Sequence, residues 1–91
     1  MSKVFSEKVL KIVSKIPKGK VMTYGEVAKK AGSPRAARAV GSLMRQNYKE
    51  DVPCHRVITS SGKIGDYNRG GAKVKYDLLI KEGVDPSRIS L

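Results

Sequence analysis

Residues 23–47 read TYGEVAKKAGSPRAARAVGSLMRQN, and this stretch of the chain decides the fold. Its first four residues are spaced as a capping box, in which the Thr23 hydroxyl accepts from the amide of Glu26 and the Glu26 carboxylate accepts from the amide of Thr23. This pattern predicts a short helix that ends near Ala31, because Gly32 suits a C-terminal cap. The stretch therefore begins with one short helix that stops abruptly.

A second helix is expected directly afterwards. Ser33 and Pro34 suit the N-cap and the first position of a helix, which we predict over residues 35–47. Three arginines project from this helix, which is otherwise rich in small residues: Arg35, Arg38 and Arg45. Two short helices joined by a tight turn, the second bearing arginines, are typical of a helix-turn-helix. An ordinary helical hairpin within a core is the alternative.

The charge of the chain is uneven. Lys and Arg number 19 against 8 Asp and Glu, which gives a formal net charge of +11. Residues 1–49 carry 12 basic and 2 acidic side chains, a net charge of +10, and the remainder carries only +1. A basic excess concentrated around a helix-turn-helix favours a polyanionic partner such as nucleic acid. Lysines that merely keep a small protein soluble are the alternative.

The length and the cysteine count limit the function classes. A chain of 91 residues suits one domain, expected over residues 1–91. A single cysteine and a single histidine exclude an internal disulfide and a zinc cage built from this chain alone, so no metal or cofactor is expected. The sequence has neither an apolar run of about 20 residues nor a signal-peptide core. We expect a soluble monomer without a membrane partner, in the cytoplasm or in a eukaryotic nucleus.

The rest of the chain extends this helical pattern. Apolar residues at positions 5, 9, 12, 13 and 16 predict a helix over residues 4–16, and a last helix is expected over residues 72–81. Residues 52–59 alternate weakly and suggest an extended or hairpin segment. The expected fold class is mainly α. It is a small single domain with a winged-helix-like helix-turn-helix over residues 24–47 and a short extended or hairpin segment that carries Cys54.

Cys54 and His55 are the residues that suggest chemistry. Basic neighbours favour the reactive thiolate form of a cysteine. On an extended segment the two side chains point to opposite faces, so we expect His55 to act through a water or a turn. A histidine that takes a proton needs a third group to orient it, and Glu82 is the candidate because the last helix must pack back on the centre of the domain. Otherwise Cys54 is a small core residue and His55 a surface residue.

The five residues Pro53-Cys54-His55-Arg56-Val57 resemble the active-site motif of the O6-alkylguanine-DNA alkyltransferases. Further blocks match the family in order and nearly in spacing: residues 23–28, 32–47, 60–62, 65–67 and 75–83. The resemblance covers residues 5–84. It implies DNA repair by a suicide reaction, in which the protein binds the minor groove, flips the damaged base and moves the alkyl group from O6 of guanine to Cys54, without a cofactor.

The resemblance also implies roles in binding double-stranded DNA that contains O6-alkylguanine. Arg38 enters the duplex and fills the gap left by the flipped base. Tyr24 crowds the target phosphate and reaches N3 of the guanine, and Asn47 stabilises the turn after the recognition helix. The remaining matched DNA-binding positions are Ser33, Arg35, Ala36, Ala37, Gly41 and Arg45.

Within the implied active site, His55 passes the thiol proton to solvent through a water and Glu82 orients His55. The carbonyls of Cys54 and Val57 hold the guanine amino group. Tyr67 and Asn68 belong to the loop that closes over the base, with the Asn68 amide facing O6.

The chain departs from the family pattern in ways that leave the activity open. It matches the catalytic module alone, residues 48–52 form a loop about one residue short, and the loop after Asn68 is about one residue longer. Alkyltransferase-like proteins share this size and bind alkylated DNA without repairing it, but they typically carry tryptophan where this chain has Cys54. A lesion binder is therefore the second hypothesis. A helix-turn-helix transcription factor is the third, and it gives no reason for the motif at residues 53–56.

Overall fold

A computed structural model describes residues 3–65 and 67–91. Four α-helices span the chain in order: α1 Lys3–Ser14, α2 Tyr24–Lys30, α3 Ala37–Gln46 and α4 Gly71–Lys81. Two short strands accompany them, β1 Met22–Thr23 and β2 Val57–Ile58, with 3-10 turns at Cys54–Arg56 and Pro86–Arg88. The prediction of a mainly helical domain with a helix-turn-helix is confirmed. In the described part of the chain no helix is long and apolar enough to cross a membrane.

The two strands pair in parallel, with Met22 opposite Val57 and Thr23 opposite Ile58. Of the two alternatives predicted for residues 52–59, the extended one is confirmed at Val57–Ile58 and the hairpin is not, because a hairpin requires antiparallel neighbours. Parallel strands need a crossover, and here the crossover contains α2 and α3. The sheet therefore places the start of the helix-turn-helix directly beside the segment that carries the Cys-His motif.

The beginning of α2 follows the sequence pattern. The Glu26 amide donates to Thr23 Oγ1 and the Thr23 amide donates to Glu26 Oε1, both at 3.0 Å, so the predicted capping box is confirmed. The end of α2 is a Schellman motif. The Ser33 amide donates to Ala28 O at 2.9 Å, and Gly32 takes the left-handed conformation (φ +86°) that this cap requires.

The start of α3 differs from the prediction. Ser33 is used to close α2, and its carbonyl accepts from the amide of Ala36 at 2.9 Å, which makes residues 33–36 a turn. Ala36 is the N-cap residue of α3 and provides no side-chain cap. The predicted helix start at Ser33 and Pro34 is therefore wrong, because the same serine serves the preceding helix.

The buried side chains form two clusters on either side of β2. The first cluster joins α1, α2 and α3 through Val9, Val13, Val27, Ala28, Val40 and Met44, and it includes Cys54 and Val57. The second consists of Ile58, Ile64, Leu79, Val84 and Ile89. Since adjacent residues of β2 belong to different clusters, this strand links them. Val74, an apolar residue of α4, is 40% exposed and belongs to neither cluster.

Candidate active site

Cys54 begins a 3-10 turn that the Arg56 amide closes by donating to the carbonyl of Pro53 at 3.0 Å. The prediction of an extended segment at this cysteine is therefore wrong. Successive side chains in a 3-10 turn lie about 120° apart rather than on opposite faces. Cys54 and His55 accordingly line one cleft of about 270 Å³, the outer cleft, although the Cys54 side chain is only 4% exposed.

His55 meets an acidic partner from the far end of the chain. Its Nε2 lies 3.0 Å from Oε2 of Glu82, and the side chains are 14% and 12% exposed. The distance is that of an ion pair, although the alignment falls outside that of a hydrogen bond. Glu82 is the C-cap residue of α4. The packing of α4 against the turn at Cys54 therefore brings together the two residues that the sequence suggested as partners.

Arg56 fixes the position of Glu82. Its Nε and Nη2 donate to the two carboxylate oxygens at 2.9 and 2.8 Å, and its Nη1 donates to the carbonyl of Ile16 at 2.7 Å. Bidentate pairs of this kind are strong and directional. The hydrogen bonds from Arg56 lower the pKa of Glu82 more than burial raises it, and His55 lowers it further. Glu82 thus stays ionised beside His55.

Tyr67 lies against both members of the Cys-His pair. Its ring meets the His55 ring edge-on, with centres 6.4 Å apart. Burial, followed by the electrostatic influence of the nearby Cys54, raises the pKa of Tyr67. Tyr67 lines the outer cleft and also a second space behind Cys54, the inner cavity. The two spaces therefore meet at the cysteine.

The inner cavity is nearly closed. Its volume is about 10 Å³, which is room for one water at most. Its walls are Tyr24, Met44, Arg45, Cys54, Tyr67, Asn68 and Lys75. Several residues that were singled out from separate parts of the sequence thus meet around one small space.

Lys75 is an unexpected member of this group. It is 1% exposed, its Nζ donates to the hydroxyl of Tyr24 at 3.3 Å, and the same nitrogen lies 5.6 Å from the centre of the Tyr24 ring. Contacts with a hydroxyl and an aromatic face stabilise an ammonium that is removed from water. The pair places the amino group of Lys75, a hydrogen-bond donor, next to the Tyr24 hydroxyl.

Asn47 lies where α3 turns toward the cysteine. It is 6% exposed, its Nδ2 donates to the carbonyl of Val52 at 3.3 Å, and its Oδ1 accepts from the amide of Lys49 at 3.2 Å. These bonds hold the loop between α3 and Cys54 in shape. The structure therefore places Asn47 in the turn for which the sequence singled it out.

Asn68 binds the end of α3 through its side chain. Its Nδ2 donates to three carbonyls, those of Met44, Arg45 and Asn47. The side-chain amide is therefore engaged within the protein, whereas the expected contact of an Asn68 amide with O6 of a base stays a prediction. Val57 is fully buried, and its amide donates to the Cys54 carbonyl, which keeps one lone pair for a further partner.

A groove of about 630 Å³ runs beside α3. One wall consists of Tyr24, Ala37, Arg38, Gly41, Ser42 and Arg45, and the other of Thr59, Ser60 and Gly65. Residues 38, 41, 42 and 45 share one helical face because of their spacing. The groove is accordingly lined by small side chains and by two exposed arginines.

Three of the expected DNA contacts lie outside this groove. Ser33 and Ala36 are half-buried and Arg35 is exposed, all in the segment that precedes α3. Because α3 begins only at Ala37, these residues are not part of its groove-facing surface.

Some residues that line the site were not predicted from the sequence. Lys75 shares a helical face with Ala72 and Leu79, and this spacing of a lysine between inward residues was the available signal. Thr59 and Ser60 directly follow the Cys-His segment, but nothing in the sequence pointed to a groove wall. Within residues 3–65 and 67–91 no three His, Cys, Asp or Glu side chains are arranged to hold a metal ion.

Comparison with known proteins gives one consistent result. Residues 4–84 match the family model of the 6-O-methylguanine DNA methyltransferase, DNA binding domain. The chain is 49% identical over 81 residues to the methylated-DNA–protein-cysteine methyltransferase of Methanothermobacter thermautotrophicus, covering 88% of this chain and 44% of that protein. It is 46% identical over 90 residues to alkyltransferase-like protein 1 of Schizosaccharomyces pombe, covering 96% of this chain and 82% of that protein.

Solved structures agree with these relatives. S. pombe Atl1 in complex with damaged DNA containing O6-carboxymethylguanine superposes with a TM-score of 0.82 at 41% identity, covering 93% of this chain and 81% of that one. Mycobacterium tuberculosis OGT in complex with DNA gives 0.82 at 42% identity, covering 98% and 53%. The chain spans about half the length of the curated methyltransferases that it matches. Since the family model covers most of its residues, the chain belongs to the 6-O-methylguanine DNA methyltransferase family, in the region of its DNA binding domain.

Proposed function

We propose that this chain binds double-stranded DNA containing O6-alkylguanine and transfers the alkyl group to Cys54, once per molecule. The observation that carries the proposal is the position of Cys54. It lies between an inner cavity walled by Tyr24, Tyr67 and Lys75 and an outer cleft that contains the His55 side chain, 3.0 Å from Glu82. The outer cleft therefore brings together a candidate nucleophile and a candidate base, and the base is paired with a carboxylate.

The proposed reaction needs no reactant other than the protein and the alkylated DNA. His55 takes the thiol proton, through a water, and the Cys54 thiolate attacks the alkyl carbon. A sulfur–carbon bond forms as the carbon–O6 bond breaks, and the electron pair stays on the guanine. The Tyr24 hydroxyl neutralises that charge by giving a proton to N3, and the proton on His55 returns to solvent or to Tyr24. The thioether product is inert, so the reaction stops after one turnover.

Arg56 and Glu82 support this proton transfer through charge. Glu82 is held by two hydrogen bonds from Arg56 and remains ionised, so it stabilises the imidazolium that His55 becomes. Because Arg56 is itself anchored to the carbonyl of Ile16, in the segment that follows α1, the carboxylate keeps its place as the charge on His55 changes.

The groove along α3 is the proposed DNA surface. Ala37 and Gly41 allow close approach to a minor groove, Arg38 fills the gap left by the flipped base, and Arg45 lies at the entrance to the inner cavity. Flipping a base costs a few kcal/mol, which an inserted side chain and phosphate contacts offset. Ser33, Arg35 and Ala36, which lie outside the groove, are proposed to contact the flanking backbone.

The base is proposed to enter the inner cavity. The carbonyls of Cys54 and Val57 accept from the guanine amino group, and Tyr67 covers the base. Since the Nδ2 of Asn68 is occupied, its backbone amide is the candidate donor to O6.

A second candidate function is lesion binding without transfer. The similarity to alkyltransferase-like protein 1, over 82% of that protein's length, favours it. The presence of Cys54 supports transfer.

The test is intact-protein mass spectrometry after incubation with duplex DNA containing one O6-methylguanine. We expect a gain of one methyl group that saturates at one per protein and maps to Cys54. Cys54→Ala should gain none and still bind the lesion duplex, and an unmodified duplex is the matched substrate control. No mass change in the wild type, together with preferential binding of the lesion duplex, would instead support the lesion binder.

A further inference from the structure

Asn68 joins two segments that are distant in sequence. Its Nδ2 donates to the carbonyls of Met44, Arg45 and Asn47 at 3.2, 2.9 and 2.7 Å. The last carbonyls of a helix have no partner within the helix. The side chain of Asn68 therefore caps α3 from a loop that lies 21 to 24 residues further along the chain.

The inner cavity lies at this junction. The loop supplies Tyr67 and Asn68 to its walls, and the end of α3 supplies Met44 and Arg45. A volume of about 10 Å³ does not admit a purine, so a base enters only when these walls move apart. The hydrogen bonds of Asn68 connect these two walls, the loop that contains Tyr67 and the end of α3.

The side-chain oxygen of Asn68 also indicates that the end of α3 holds this side chain in place. Asn68 Oδ1 is buried and has no hydrogen-bond partner in the described part of the molecule. A buried acceptor without a donor is costly, so the side chain is held in this orientation by the Nδ2 contacts rather than by its own oxygen. Its orientation therefore depends on the end of α3.

We infer that Asn68 is a positioning residue that couples the recognition helix to the loop covering the base, and that it thereby sets the preference for alkylated over normal guanine. The inference rests on the proposed function. Asn68 does not line the groove along α3, so its replacement changes none of the side chains that form the groove. Replacement of Asn68 changes how firmly Tyr67 packs over the base. This packing is the step at which the protein discriminates alkylated from normal guanine.

The experiment measures Kd for two duplexes, one unmodified and one with a single O6-methylguanine, in a Cys54→Ala background so that no transfer occurs. Asn68→Asp keeps the size of the side chain and replaces its donors by an oxygen that faces three carbonyls. We expect the ratio of the two Kd values to fall about tenfold, equivalent to one or two net hydrogen bonds. The Kd for the unmodified duplex should stay within about twofold, because the groove along α3 keeps its residues and one added negative charge weighs little against the chain's net +11.

Two further variants keep the test decisive. Asn68→Ser retains one donor, and its ratio should lie between those of the wild-type residue and Asn68→Asp. Arg69→Gln is the matched control in the same loop. It removes a hydrogen bond to the carbonyl of Lys49 and a contact with the Tyr48 ring, and it should keep the ratio.

The outcomes are distinct. A ratio unchanged in Asn68→Asp and Asn68→Ser would overturn the inference, and so would a parallel loss of both affinities accompanied by a lower Tm. If Cys54→Ala with the native Asn68 binds the lesion duplex no more tightly than the unmodified one, the proposed function itself fails. That result is distinct from a failure of the role inferred for Asn68.

Discussion

The Nζ of Lys75 lies 3.3 Å from the hydroxyl of Tyr24, in a position that is almost completely closed to solvent. An ammonium that donates to a phenol oxygen polarises the O–H bond and makes the hydroxyl a better proton donor. The proposed reaction uses this hydroxyl to neutralise the leaving guanine. We therefore expect Lys75 to assist the proposed proton transfer, although it lies on a different helix from Tyr24.

Replacement of Lys75 by Met should separate chemistry from stability. Removing a buried charge in favour of an apolar side chain of similar volume is often neutral or stabilising, so we expect Tm to be kept or raised. Transfer should slow by about 10-fold to 100-fold, at or below the lower end of a general acid's contribution, because Tyr24 itself remains. Single-turnover rates and thermal melts measure the two effects. A variant with normal transfer would show that the ammonium has only a packing role.

Glu82→Gln should weaken both the fold and the reaction. The substitution keeps the shape but leaves the guanidinium of Arg56 with a neutral partner, and we expect a loss of about 1–3 kcal/mol in unfolding free energy. The imidazolium of His55 also loses its nearby negative charge, so transfer should slow by about tenfold or more. Urea unfolding and transfer rates test this. Asp77→Asn, an exposed change on α4, is the control and should alter neither.

The stability of the protein should depend on Glu82 at acidic pH. Because the pKa of Glu82 is lowered on folding, the unfolded chain binds its proton first as the pH falls. The stabilisation from this group is therefore complete above about pH 4.3 and is lost as the pH passes down through the lowered pKa. Melts of the wild type and Glu82→Gln should converge below that range.

The same pH series contains a second acidic group. Asp85 is exposed, and hydrogen bonds from Ser87 lower its pKa in the same direction. Both proteins carry Asp85, so the difference between wild type and Glu82→Gln isolates Glu82. A difference that stays constant down to pH 2 would contradict the assignment.

Arg38 and Arg35 should respond differently to salt. If Arg38 inserts into the duplex, Arg38→Ala weakens binding to the lesion duplex about tenfold or more and leaves the slope of log K against log salt nearly unchanged. If Arg35 contacts a phosphate, Arg35→Ala lowers the magnitude of that slope by about 0.9. Binding isotherms at several salt concentrations between about 50 and 200 mM give both the affinity for the lesion duplex and the slope of log K against log salt. Equal changes of slope would assign Arg38 to the backbone.

Local signals in the sequence were sufficient for some elements. The capping box was predicted because Thr23 and Glu26 lie three residues apart, so the pattern contains both partners. The start of α3 was not predicted correctly. Ser33 can cap the beginning of α3 or close the end of α2, and the sequence does not show that the end of α2 uses it. Competition between neighbouring helix ends is decided by the whole turn rather than by one residue's preference.

The site itself was predictable only in part. The short motif around Cys54 drew attention to the cysteine and the histidine, and Glu82 followed from the packing of the last helix. The Lys75 contact joins residues 51 positions apart and the Arg56 pair joins residues 26 apart. Such pairs depend on the register of α4 against the rest of the molecule, which no local pattern specifies.

The parallel pairing of β1 with β2 has a consequence for the folding of the chain. Met22 and Val57 form a ladder only after the intervening helices have closed a long loop, so this contact belongs to the late, non-local part of folding. The turn at Cys54 continues directly into β2, and its protection from water depends on that closure. The sole thiol of the chain is thereby an internal reporter of cooperativity. A thiol-reactive dye should label it by two separable routes, one set by the local opening that admits a base to the inner cavity and one set by global unfolding, and only the second should depend steeply on denaturant.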